Sequence, residues 1–238
     1  MVRGSEHGDR GPKQGRFARG STVRRHRCVI AAVLCAAWLV HLCAAAISAD
    51  VAPSASAAQT SRWWKLTCHD ESAPCVFTVR LRGVINQSRL QLFQEALRRR
   101  DATQRALRRT VALHVDVDSP GGQLFAALEI GRLLRREMAP VRMGRGAVCI
   151  SACVFVLMGA VERELAAGAR IGLHRPSLGD PGRDRLVPAM SEELARYAEE
   201  MGVSRRIVDD MLAIPSSRVR FVTPAELARY GMPVSVVR

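Results

Sequence analysis

The chain has 238 residues, 48% of them hydrophobic, and a formal net charge of +14 from 36 Lys and Arg against 22 Asp and Glu. That length holds one ordinary domain with its own core and excludes two, since single cores stop growing at about 250–300 residues. The charge taken alone points to nucleic acid or an anionic surface. However, much of it lies before residue 28, in Arg3, Arg10, Lys13, Arg16, Arg19, Arg24, Arg25 and Arg27, and basic and aromatic residues do not cluster as a single-strand binder requires, which argues against nucleic acid as a partner.

In chain order, residues 1–27 read as a basic region retained on the cytoplasmic side of a membrane. From Cys28 to Ile47 the chain is apolar apart from His41 and carries no Asp, Glu, Lys or Arg. Residues 28–48 are therefore expected to enter or cross the membrane, as a signal peptide or a signal-anchor transmembrane helix. The run is close to the roughly 20 residues a spanning helix needs, whereas the small residues from Ala44 to Ala49, with Ala46 and Ser48, suit a leader peptidase, so both readings stand. Either one exports the remainder to the periplasm or the outer face of the inner membrane, where disulfides persist. Residues 49–62, rich in Ala, Ser and Pro, read as a flexible linker, and the domain is expected over residues 63–238.

Past the membrane segment lie Cys68, Cys75, Cys149 and Cys153, with no C-x-x-C pair and scattered histidines, which gives no metal-ligand spacing. A Cys68–Cys75 bridge closing a short loop is expected. Cys149 and Cys153 read as two small buried hydrophobes packing a core helix.

The hydrophobic pattern predicts a strand over Val76 to Leu81, a helix over Arg89 to Arg100, a strand over Val111 to Val117 and a helix over Leu124 to Arg136. A strand over Val141 to Val148, a short apolar helix over Ala152 to Met158 and a strand end over Arg170 to His174 follow. Arg175 to Pro188 reads as a loop, broken by Pro176, Gly179, Pro181 and Gly182. Two helices, Ser191 to Met201 and Ser204 to Leu212, and a final strand, helix and strand complete the chain. Alternation of this kind argues for a single α/β domain with a largely parallel sheet.

Three units in this pattern carry chemistry. The strand ending in Val117 and Asp118 breaks into Ser119-Pro120-Gly121-Gly122 before a helix, a turn that exposes backbone amides to developing negative charge. A second strand-to-helix turn, Cys149-Ile150-Ser151-Ala152-Cys153, places a serine hydroxyl at a sharp corner with the next amide free, following the logic of a nucleophile elbow. A third strand, Arg170-Ile171-Gly172-Leu173, ends in His174 and a loop.

In this order and at these intervals the three units resemble the ClpP/crotonase superfamily, most closely the Clp proteolytic subunit and its periplasmic or membrane-anchored relatives. The resemblance covers about residues 75–235. It extends to Gly159, Arg163, the run Ala169 to Pro176, and the closing run Arg220-Phe221-Val222-Thr223-Pro224-Ala225-Glu226-Leu227 with Tyr230, Gly231 and Met232. It implies the superfamily's spiral fold of repeated ββα units, a Ser151 nucleophile, a His174 base, an oxyanion hole from the amides of Gly122 and Ala152, a peptide or protein substrate, self-association into a homo-oligomer, and no cofactor or metal.

One position departs from the pattern. Clp proteases carry an aspartate just before the Arg-Phe pair, and this chain has Val219 there. A valine cannot orient an imidazole, so Asp180, Asp184, Asp209, a backbone carbonyl or a water must hold His174, or the site is weak or dead. Three rivals follow: a membrane-tethered binding or scaffold protein on the same fold, a crotonase-like acyl-CoA enzyme, disfavoured by an address where CoA is scarce, and a Ser-Lys dyad, disfavoured because Lys65 precedes the first expected core strand.

Overall fold

The computed structural model describes residues 63–69, 73–176, 178 and 180–237. The basic region, membrane segment and linker read at 1–27, 28–48 and 49–62 lie outside them. Among the described residues no helix is long and apolar enough to cross a membrane.

Strict alternation builds the first core strands. In β2 (Cys75–Arg82) Cys75, Phe77, Val79 and Leu81 are buried, and in β3 (Val111–Asp118) Val111, Leu113, Val115 and Val117 are buried. With a period of two, each strand turns one apolar row to the core. The helix between them, α1, spans Gln87–Leu107, longer than the 89–100 expected. It starts where Asn86 accepts a hydrogen bond from the Arg89 amide and stops at Arg108, which adopts a left-handed conformation. Among the described residues one short strand precedes β2: β1 (Trp64–Thr67), antiparallel to it. The expected Cys68–Cys75 disulfide is formed between these two strands, with a Cα–Cα distance of 4.3 Å.

After α2 (Leu124–Arg136), the strand expected over 141–148 is in fact two. β4 (Val141–Met143) pairs with β3 in a large sheet, and β5 (Val148–Ile150) belongs to a small one. Gly144 and Gly146 stand at the break, where the Ala147 amide closes a turn onto the Gly144 carbonyl. The same step recurs. β6 (Arg163–Ala166) joins the large sheet and β7 (Arg170–Leu173) the small one, with α3 (Cys153–Gly159) between β5 and β6.

The six-stranded sheet runs β1-β2-β3-β4-β6-β9 and the three-stranded sheet β5-β7-β8, where β8 is Arg220–Val222 and β9 is Ser235–Val237. The successive turns β4–β5 and β6–β7 thus give one strand to each sheet, in keeping with the spiral expected from the resemblance. All seven residues of α3 are buried. The C-terminal carbonyls of α3 are satisfied by Arg163, whose guanidinium donates to Leu157, Met158 and Ala160. Burial, and secondarily the charge of Arg135, brings Arg163 down to about 10.

The segment read as a loop over 175–188 contains a short helix, α4 (Pro181–Asp184), and a 3-10 turn over Val187–Met190. Asp180 caps α4 by accepting from the Gly182 and Arg183 amides, and Pro181 occupies the first helical position, where its missing N–H costs nothing. Helices α5 (Ser191–Glu200), α6 (Arg206–Ala213) and α7 (Pro224–Arg229) complete the described residues.

Candidate active site

The C-terminal ends of β3, β5 and β7 bring the three sequence units together. Ser119 forms a parallel bridge with Cys149 of β5: its amide donates to the Val148 carbonyl at 2.7 Å, and the Ile150 amide donates to the Ser119 carbonyl at 3.1 Å. β5 in turn pairs in parallel with β7, with Ile150 opposite Gly172.

Ser151 is the corner between β5 and α3. Its φ is 59°, one of the few left-handed non-glycine residues described. For such a residue that conformation costs about 1–3 kcal/mol and persists only where its surroundings hold it. They do: the Ser151 amide donates to the Gly172 carbonyl at 3.0 Å, and the Ser151 carbonyl accepts from Val154 at 2.9 Å, starting α3. Gly121 closes the corner from beneath. A Cβ at Gly121 would stand 2.5 Å from the Ile150 carbonyl oxygen and 2.9 Å from Ser151 Cβ, so only glycine allows this approach.

The structure corrects the reading of Cys149 and Cys153. Both are fully buried, as expected, but they are bonded to each other across Ser151, with a Cα–Cα distance of 5.3 Å. The sharp corner returns the first residue of α3 to within disulfide range of the strand it has just left. A spacing of four residues gave no hint of this without the turn geometry.

The Ser-Pro-Gly-Gly turn lies between two neighbours. On one side the Ile85 amide donates to the Gly121 carbonyl and the Gln123 amide donates to the Ile85 carbonyl, both at 2.8 Å. In a parallel bridge of this kind the amide of the central residue, Gly122, points to the opposite side, which is the side of β5 and its corner. Among the described residues neither the Gly122 nor the Ala152 amide has a hydrogen-bond acceptor. Ser119, not singled out in the sequence for its side chain, shapes the turn: its Oγ accepts from the Gly121 amide at 3.0 Å.

His174 follows β7 immediately and so stands at the same end of the small sheet as Ser151. Its Nδ1 lies 2.8 Å from the Arg175 carbonyl oxygen, which requires the proton on Nδ1 and leaves Nε2 as an acceptor. Burial pulls the imidazole below the usual histidine value of 6.5, opposed by this hydrogen bond. Arg175 is itself anchored: its amide donates to Ile214 at 2.9 Å and its guanidinium to the Leu212 carbonyl. No hydrogen bond joins His174 to Ser151 among the described residues.

Among the described residues no carboxylate takes the place of the missing acid, and the side chain of Asp184 lies outside them. β7 and β8 are antiparallel and their pairing ends with Leu173 opposite Arg220, so His174 follows the last pair on one strand and Val219 precedes it on the other; the Val219 side chain packs over Gly172. No described carboxylate bonds His174. Asp180 caps α4, and Asp210 is engaged by Tyr230 and Arg220. Asp209 lies in the first turn of α6, without a bond to the imidazole. Lys65 sits in β1, at the edge of the large sheet, opposite Thr78.

The Clp protease family matches residues 102–237. The membrane-bound protease PH1510 of Pyrococcus horikoshii is 26% identical over 137 residues, 53% of this chain and 30% of that protein, so the chain spans less than a third of that relative's length. Among solved structures, a variant of the 1510-N membrane-bound stomatin-specific protease aligns with a TM-score of 0.51 at 20% identity, covering 68% of this chain and 79% of that one. ClpP1 from Listeria monocytogenes aligns with a TM-score of 0.51 at 19% identity, covering 68% and 91%. At these identities the structures share the fold.

Proposed function

The chain belongs to the Clp protease family, and on that premise we propose that it is an extracytoplasmic serine peptidase with Ser151 as nucleophile, His174 as general base and the Gly122 and Ala152 amides as oxyanion hole. The observation that carries this reading is the left-handed corner at Ser151, buried, braced by Gly121 and Gly172, and followed by an amide without an acceptor. Strain of that kind, held from several sides, is characteristic of a preorganised nucleophile.

In the proposed reaction His174 Nε2 takes the proton of Ser151 Oγ as the oxygen attacks a peptide carbonyl. The Gly122 and Ala152 amides stabilise the resulting oxyanion, and His174 returns the proton to the departing amine. Water, deprotonated by the same imidazole, then cleaves the acyl-enzyme. The Arg175 carbonyl stands in for the absent acid in holding the imidazole tautomer, though it supplies no charge to stabilise the imidazolium. Membrane attachment through residues 28–48 and self-association complete the reading, and the membrane-bound relative supports the first of these.

The test is labelling of the full chain by a fluorophosphonate, with Ser151→Ala as control and the adduct located by mass spectrometry. An adduct on Ser151 that also requires His174 is expected. Val219, standing where the resemblance expects an aspartate, favours a second reading, a tethered binding or scaffold protein without activity. A folded chain that takes no label would establish that reading in place of the first.

A further inference from the structure

The Cys149–Cys153 disulfide encloses just the three residues that carry the candidate nucleophile and the second oxyanion amide. Cys149 is fixed on both flanks, opposite Ile171 of β7 on one side and Ser119 on the other. Cys153 is the first residue of α3, a helix buried along its whole length. The bridge therefore ties a point held by the small sheet to the first turn of the core helix, with Ile150, Ser151 and Ala152 spanning the gap. A disulfide closing so short a loop restricts the unfolded chain little, so its effect falls on local geometry rather than on global stability. The other bridge makes the contrast plain. Cys75 is at the start of β2, seven residues and about 23 Å of strand from the end of the large sheet where the site lies.

We propose that the Cys149–Cys153 disulfide is a positioning element of the nucleophile corner, holding Ser151 Oγ and the Ala152 amide in register, so that the enzyme reaches full activity only with this bridge formed. The proposal rests on the reading of Ser151 as nucleophile. Both cysteines are fully buried and bonded to each other, so the pair acts through the backbone of the corner. Without the bridge the left-handed Ser151 retains its hydrogen bonds but samples other backbone states, and a displacement of about 1 Å costs on the order of 10²-fold in rate.

The experiment compares four full-length chains: the natural sequence, Cys149→Ala/Cys153→Ala, Cys68→Ala/Cys75→Ala, and Ser151→Ala. Each is followed for the rate and half-saturating concentration of fluorophosphonate labelling and for its thermal unfolding transition. Loss of the Cys149–Cys153 bridge is expected to slow labelling at least about tenfold at an unchanged half-saturating concentration, with the unfolding transition retained, while loss of the Cys68–Cys75 bridge leaves the rate unchanged. Should the first double variant not fold, the Cys68→Ala/Cys75→Ala chain is treated with dithiothreitol. The reagent delivers two electrons and two protons to Cys149 and Cys153, giving two thiols and its own cyclic disulfide. Alkylation and intact mass then confirm the opening, and labelling must fall and return on reoxidation. A full labelling rate with the bridge confirmed open overturns the positioning role alone. Absence of label on the natural, oxidised chain overturns the nucleophile reading itself and this role with it.

Discussion

The corner at Ser151 and the segment at His174 lie at the ends of adjacent parallel strands, yet they are held in different ways. Ser151 is braced by the Gly172 carbonyl, the first turn of α3, the close approach of Gly121 and the Cys149–Cys153 bridge. His174 is held by a neighbouring backbone carbonyl, and Val219, where the family carries an aspartate, is 40% exposed. In the proposed reading the nucleophile and its oxyanion amides are thus built in advance, while the base has its tautomer set but, among the described residues, no carboxylate to stabilise its protonated form. That difference predicts an enzyme whose reactivity is limited by the base rather than by the nucleophile.

The comparison can be broken most severely at the corner itself. Ser151→Ala is expected to lower peptide hydrolysis at least about 10³-fold without unfolding the chain, read by kcat/KM and thermal unfolding together. At Gly122 an added Cβ would lie 2.1 Å from the Ile85 carbonyl oxygen. Gly122→Ala should therefore push the turn away from Ile85, lower kcat roughly 10²-fold and reduce Tm. On the other side of the comparison, Val219→Asp restores the carboxylate at the family's position, just before β8, and should raise kcat/KM about tenfold, a gain no repair of the corner could give. An unchanged rate in this variant would mean that the Arg175 carbonyl suffices.

The smallest effect sharpens the same contrast through pH. Burial favours the neutral imidazole, so the acid limb of kcat/KM should lie below the usual histidine value of 6.5. In Val219→Asp the new negative charge favours the imidazolium, and the limb should move upward. A limb above 6.5 in the natural chain would contradict the environment described for His174.

Much of this was legible in the residues. The alternation of Phe77, Val79 and Leu81 and of Leu113, Val115 and Val117 marks the central strands without help from tertiary contacts, because a period of two exposes one face to the core. The Ser119-Pro120-Gly121-Gly122 turn marks a strand end by local backbone chemistry. β6 was not legible: Arg163, Glu164, Leu165 and Ala166 are good helix formers, and they are extended because β4 and β9 pair with them on either side. The division of residues 141–148 between two sheets was hidden for the same reason, since the hydrophobic pattern runs on through the point where the chain changes partners.

By itself the sequence determined the alternating α/β pattern, the glycine turn, the serine at a strand-to-helix corner, the histidine at the end of a strand and the absence of an acid at position 219, all set by neighbours within a few residues. Only the tertiary structure decided that Cys149 and Cys153 bond across Ser151, that the Arg175 carbonyl holds the His174 tautomer, and that Val219 packs over Gly172. Those contacts depend on how sharply the corner folds and on which strands become neighbours, and such distances are fixed by packing between segments rather than by the order of residues within one.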